Sequence, residues 1–210
     1  FTATSGVQKV TSAGKTFDNP IVQNNPGATV QLQDNLTMGS TRTFTLTAGT
    51  LDLTGNSGNW TLSAGVFSSS NSNTRSIAFG TGNITVTGSN GTIWTMATTT
   101  GFTYTGTPTV NCTYSGSTGT RTIQGFGTQT ESAVLNFNIT AGTDIVSTSS
   151  GYSYKNLNFT GFKGSWTNLV NYIYGNLTID SGMTVTGGAN ALNFNATSGT
   201  QLITSNGVTI

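Results

Sequence analysis

The sequence contains no histidine, one cysteine, one glutamate and three prolines, and only 6% of its 210 residues are charged. Each scarcity excludes something. Without histidine, and with Cys112 the lone thiol, the usual transition-metal ligand sets cannot be assembled and no imidazole is present to act as a general base. One cysteine forms no internal disulfide, which leaves the redox compartment open. Seven basic and six acidic residues give a net charge of +1, and the cations are scattered from Lys9 to Lys163. No cationic stripe faces phosphate or anionic lipid, so neither nucleic acid nor membrane is an expected partner. Apolar runs of a few residues fall far short of the ~20 needed for a membrane-spanning helix. With Glu131 the only glutamate, capping boxes and Glu–Lys helix pairs are all but absent.

What is present is threonine, glycine, serine and asparagine, which fill more than half the chain, and a hydrophobic fraction of 34%, enough for a folded core. Apolar and polar residues alternate in TFTLT (43–47), TLDLT (50–54), NITVTG (83–88), GFTYTG (101–106), LNFNIT (135–140) and LNFNAT (192–197). A period of two belongs to strands with one buried face, and glycine-containing dipeptides punctuate the runs as turns. No stretch carries a 3.6-residue apolar period, so the expected class is all-β. In TVNCTYSG the same alternation sets Cys112 beside Val110 and Tyr114, as a small buried hydrophobe and not a reactive thiol.

The phrase Leu-x-Phe/Ile recurs at Leu135, Leu157, Leu177 and Leu192, at spacings of 22, 20 and 15 residues. Repetition near 20 residues suits one turn of a solenoid. The favoured architecture is therefore a parallel β-solenoid (β-helix) with coils of about 20 residues, in nine or ten coils on the order of 45 Å long. Leu and Phe would form ladders inside, Thr and Asn outside. Tandem Ig-like or jelly-roll β-sandwiches are the alternative.

A longer repeat joins the two extremities. FTATSGVQKVTSAGKTF (1–17) and FNATSGTQLITSNGVTI (194–210) agree at ten of seventeen positions. The chain reads as a single repeat unit, 1–210, with 1–17 and 194–210 as homologous segments at a junction. The junction residues are Phe1, Gly6, Gln8, Val10 and Phe17 on one side, and Phe194, Gly199, Gln201, Ile203 and Ile210 on the other. The expected partner is a further copy of the chain, head to tail, as a homopolymer or as covalent tandem repeats; such a contact does not close on itself. Phe1 follows neither an initiator Met nor an apolar leader, as expected of a processed chain or a segment of a longer one.

The wording of LQDNLTMGSTRTFTLTAGTLDLTGN, FSSSNSNTRSIAFGTGNITVTG and VNCTYSGSTGTRTI resembles the long Thr/Asn/Gly-rich tandem β-repeat proteins of phage and secreted bacterial origin. That resemblance implies a structural fibre, sometimes adhesive, outside the cell, on its surface or on a virion; it carries over no functional residue. Candidates for chemistry are few. Asp34 and Asp52 lie 18 residues apart, near one coil, but isolated aspartates beside Gly and Asn more commonly shape turns. No enzyme activity, metal or cofactor is expected. Tyr152, Tyr154, Trp166, Tyr172 and Tyr174 form a candidate glycan-facing surface, with surface glycans as a second class of partner, against the competing expectation that aromatic rows pack the core. Nine Asn-x-Ser/Thr sequons, from Asn35 to Asn195, are close to the roughly seven that this composition yields by chance.

Overall fold

Alternation decides which side chains a coil encloses. In the computed structural model, which describes residues 1–127, 130–131, 134–168, 170–187 and 190–210, the alternating runs are short parallel strands wound into a β-solenoid of about 8 turns, roughly 23 residues each. One antiparallel bridge, Phe126 to Ser153, interrupts an otherwise parallel set of pairs among the described residues. The sandwich alternative, built on antiparallel neighbours, is thereby set aside. The coil is about three residues longer than the spacing of the Leu phrase suggested.

Three ladders run along the axis. The first face stacks residues 21–24 and 43–48 with Val66–Ser68, Gly91–Met96, Thr120–Phe126, Ile145–Thr148, Ser165–Asn168 and Thr184–Thr186. The second begins at Ser5–Val10 and continues through 27–32, 49–52, Arg75–Gly80 and Phe102–Gly106, then Tyr152–Tyr154, Asn171–Ile173 and Leu192–Phe194. The third carries nine short strands from Thr16–Phe17 to Ile203–Thr204. The first two faces form one sheet because Ile21–Leu32 and Thr43–Asp52 turn the corner between them without breaking. Gly49 makes one such corner possible. Its φ is +80°, and a Cβ there would lie 2.2 Å from the carbonyl oxygen of Asn25, so no other residue fits.

Parallel register places like over like. On the third face Leu36, Leu62, Ile84, Val110, Phe137, Leu157 and Leu177 form one fully buried column. On the first, the rings of Phe44, Phe67 and Trp94 stack with centroids 5.9 and 4.6 Å apart. Outside the third face, Asn111 donates from Nδ2 to Asn83 Oδ1 (3.2 Å), Asn138 to Asn111 (3.0 Å) and Asn158 to Asn138 (3.4 Å). At the corners, the side-chain oxygens of Asn35, Asn59, Asn90 and Asn176 accept the backbone N–H of Thr61, Thr81, Thr120 and Leu202 in the next coil. Eight of the nine sequon asparagines thus join one coil to the next.

The Leu phrase marks equivalent positions only in part. Leu157 stands opposite Leu177, but Leu157's other neighbour is Phe137, two residues beyond Leu135, and Leu192 lies on the second face opposite Asn171. Alternation specifies in or out, whereas the face is set by loops whose lengths vary from coil to coil.

One corner makes stability sensitive to acid. Asp180 accepts the N–H of Gly161 (2.8 Å) and Gly182 (3.0 Å) and pairs with Lys163. The lysine first, then the two amides, hold its carboxyl down at about 2, against 3.8 for an ordinary aspartate. Its contribution is therefore complete above pH 4 and is lost as pH falls through 2. The denaturant midpoint of Asp180→Asn is expected to fall less than that of the parent protein between pH 5 and pH 2; equal falls would remove Asp180 from the acid response.

Candidate functional site

The most distinctive surfaces are the two ends of the stack. Among the described residues, seven of the eight large exposed apolar side chains lie there: Phe1, Val7, Phe17 and Val22 at one end, Leu202, Ile203 and Ile210 at the other, with Ile145 midway along the rod. Ile203 is 53% exposed although it ends the buried third-face column, and Phe17, 36% exposed, lies over the buried Met38; Val7 and Leu202 point outward at the same two ends, Val7 in line with the half-buried Thr29. Among the described residues, Ser5–Val10 and Thr16–Phe17 pair on one side only, as do Thr184–Thr186, Leu192–Phe194 and Ile203–Thr204. Open N–H and C=O rows of this kind are templates for another strand. A hollow opens at each end, about 420 Å³ beside Phe1 and Val22 and about 400 Å³ beside Val185, Leu192 and Ile210.

The sequence-predicted junction residues fall at these ends. The amino group of Phe1 donates to Val22 O (3.0 Å). Val10 is buried opposite Leu32, and Phe17 stands exposed opposite Met38. The Gln8 Oε1 atom is buried without a hydrogen-bond partner. At the other end Phe194 lies opposite Ile173, Ile203 opposite Leu177. Gln201 donates from Nε2 to Ile173 O (2.8 Å) and Gly175 O (3.1 Å) and accepts the Ala196 N–H. Gly6 and Gly199 share a φ near +80°.

The two homologous segments do not occupy the same faces. Val10 is on the second face; its counterpart Ile203 is on the third. Residues 5–10 are held in register by the strand 27–32 above them. No strand pairs above 199–204 among the described residues; the register there is set from below, by the pairing with Leu177–Thr178 and by the bonds of Gln201 and Asn176.

The aromatic surface needs correction. Tyr154 and Trp166 are fully buried and Tyr174 nearly so; Tyr152 and Tyr172 are half-buried. The Trp166 ring packs 4.8 Å from that of Phe159 and donates to Thr148 Oγ1, while the Tyr154 hydroxyl donates to Ile123 O. Tyr154, Trp166 and Tyr174 are therefore core residues, and of the five only Tyr152 and Tyr172 reach the surface. Asp34 and Asp52 are not paired across a cleft. Asp34 accepts the amides of Ser12 (2.8 Å) and Ala13 (2.7 Å), and the Ser12 bond chiefly keeps its carboxyl below the ordinary range. Burial opposes ionisation of Asp52, but hydrogen bonds from Gln31 and Thr54 outweigh it and lower its pKa. Cys112 is buried, and burial pushes its thiol up to about 12.

Sequence reasoning missed two buried arginines. Arg121 forms a two-pronged pair with Asp144, both oxygens at 2.7 Å and both side chains fully enclosed. Arg75, also enclosed, meets only carbonyls and a hydroxyl. The alternation did mark them: in TRSI and TRTI each arginine stands two residues before an inward isoleucine, Ile77 or Ile123.

Comparison with protein-family models, curated proteins and solved structures gave no match.

Proposed function

We propose that the chain is a structural segment of a fibre that grows by head-to-tail continuation of its coils. The observation that carries this reading is the third-face column: seven buried residues in register lead to Ile203, which is half bare. Another coil laid on that end would bury Ile203 and pair the open strands, and the bare Phe17, over Met38, offers the complementary edge. Burying apolar surface returns about 25 cal/mol per Å². Because the two ends differ, their contact is heterologous and leaves a free end at every step, which makes a filament. A sparsely charged surface rich in hydroxyls and amides, and the resemblance to phage and secreted repeat proteins, fit a fibre outside the cell or on a virion.

Electron microscopy and sedimentation at rising concentration test the reading. Rods of constant width and growing length are expected; Phe17→Lys and Ile203→Lys each stop the growth, and Ile145→Lys, on the side of the rod, leaves it intact. A particle that stays monomeric at every concentration, or growth blocked equally by Ile145→Lys, overturns it.

A further inference from the structure

The two homologous segments share more than sequence. Ser12–Lys15 and Ser205–Val208 are the same turn: φ is 50° and 72° at Ala13 and Gly14, 48° and 82° at Asn206 and Gly207. In each, the fourth residue's N–H donates to the first residue's carbonyl at 3.0 Å. Two successive positive φ values define a type I′ turn, and alanine and asparagine pay a steric penalty there that something must offset. At the first turn the coil above supplies the offset. Asp34 receives the N–H of Ser12 and of Ala13, and Ser12 Oγ donates to Asn35 O (2.8 Å). At the second turn, among the described residues, no carboxylate meets the Ser205 and Asn206 amides.

From this match, and resting on head-to-tail continuation as proposed above, we infer that residues 194–210 are a duplicate first coil, built to take the place of residues 1–17 beneath the second coil of another copy of this chain, as at a covalent junction where that copy enters at its second coil. In that position Gln201–Ile203 leave the third face for the second, as Gln8–Val10 lie beneath 30–32, and the other copy's Asp34 caps Ser205 and Asn206. Ile203 becomes as enclosed as Val10, which is only 7% exposed. The bonds that hold the present register, the Leu177 and Ile179 N–H groups to Leu202 O and Thr204 O, Gln201 to Ile173 O and Gly175 O, the Leu202 N–H to Asn176 and Asn206 Nδ2 to Ile179 O, are exchanged for those of the new ladder.

The test is a chain in which residues 1–210 run directly into residues 18–210 of a second copy, so that 194–210 is the only first coil available to that copy. Amide exchange of Ser205 and Asn206 is expected to slow at least tenfold relative to the single chain, and Asp34→Asn in the second copy alone is expected to restore the fast rates. X-ray scattering of the same chain separates the two levels. One rod of about doubled length, with Ser205 and Asn206 exchanging as in the single chain, overturns the inference and leaves stacking standing. Two separately tumbling bodies overturn both.

Discussion

Asp144→Ala is expected to lower stability by about 3–5 kcal/mol, the range for removing one member of a buried ion pair. The reason lies in what remains. Arg121 donates from Nε and Nη2 to the Asp144 oxygens, gives one further bond to Ala141 O, and leaves its Nη1 atom buried without a partner. The rings of Tyr114 and Phe162 lie 5.4 and 5.6 Å from its guanidinium carbon, favourable for a cation but no replacement for a carboxylate. Removing Asp144 strands a charge in the interior. Asp144→Asn keeps the shape and one acceptor and falls between the two, whereas the double change Arg121→Met with Asp144→Leu removes both charges and is expected to recover most of the loss. Since coils touch only their neighbours, the damage appears first as faster amide exchange in Thr120–Phe126 and Ile145–Thr148, and then as a lower denaturant midpoint. An Asp144→Ala protein within 1 kcal/mol of the parent, on the scale of ordinary surface changes, would show that the pair contributes little.

That pair also marks how far the sequence could be read. Alternation was enough for the class and the inside of the rod: TFTLT and NITVTG bury Phe44, Leu46, Ile84 and Val86, as a period of two requires. It was enough for Trp166 too, since Ser165 and Thr167 flank it, and of the two expectations for the aromatics, core packing holds for Tyr154, Trp166 and Tyr174. Charged residues are mostly exposed, so only parity, in TRSI and TRTI, points Arg75 and Arg121 inward. Register was not legible. The offset between paired residues is 23 from Thr45 to Ser68, 27 from Ser68 to Thr95 and 20 from Leu157 to Leu177. Corner loops absorb these differences at little energetic cost, so no fixed phrase spacing can report which residues meet. The terminal repeat was legible as sequence; that its two copies share a turn but not a face follows only from what each has above it.

Arg75→Met is expected to destabilise by about 3 kcal/mol or more, because each buried carbonyl left without a donor costs about 1–3 kcal/mol. Arg75 opens the strand Arg75–Gly80, where two corner loops, 69–74 and 97–101, are stacked. Its Nε donates to Ser69 O and Oγ, its Nη1 to Asn73 O (3.0 Å) and Thr100 O (2.9 Å), and its Nη2 to Ser69 O (2.7 Å) and Thr98 O. Four carbonyls from two successive coils converge on one planar group, which lies 5.6 Å from the Phe102 ring. Among the described residues no carboxylate shares the site, so the cation is held chiefly by oriented backbone dipoles, with the Ser69 hydroxyl and the Phe102 ring beside them, and burial lowers its pKa without neutralising an arginine. Five N–H donors in a fixed fork match that arrangement; three on a flexible stem do not. Arg75→Lys is therefore expected to recover less than half of the loss, a result that separates geometry from charge. Limited proteolysis provides the local readout, with cleavage rising within 69–74 and 97–101 before the rest of the rod opens. If Arg75→Lys unfolds at the parent's denaturant midpoint, the positive charge is what holds the two loops, and the fork is incidental.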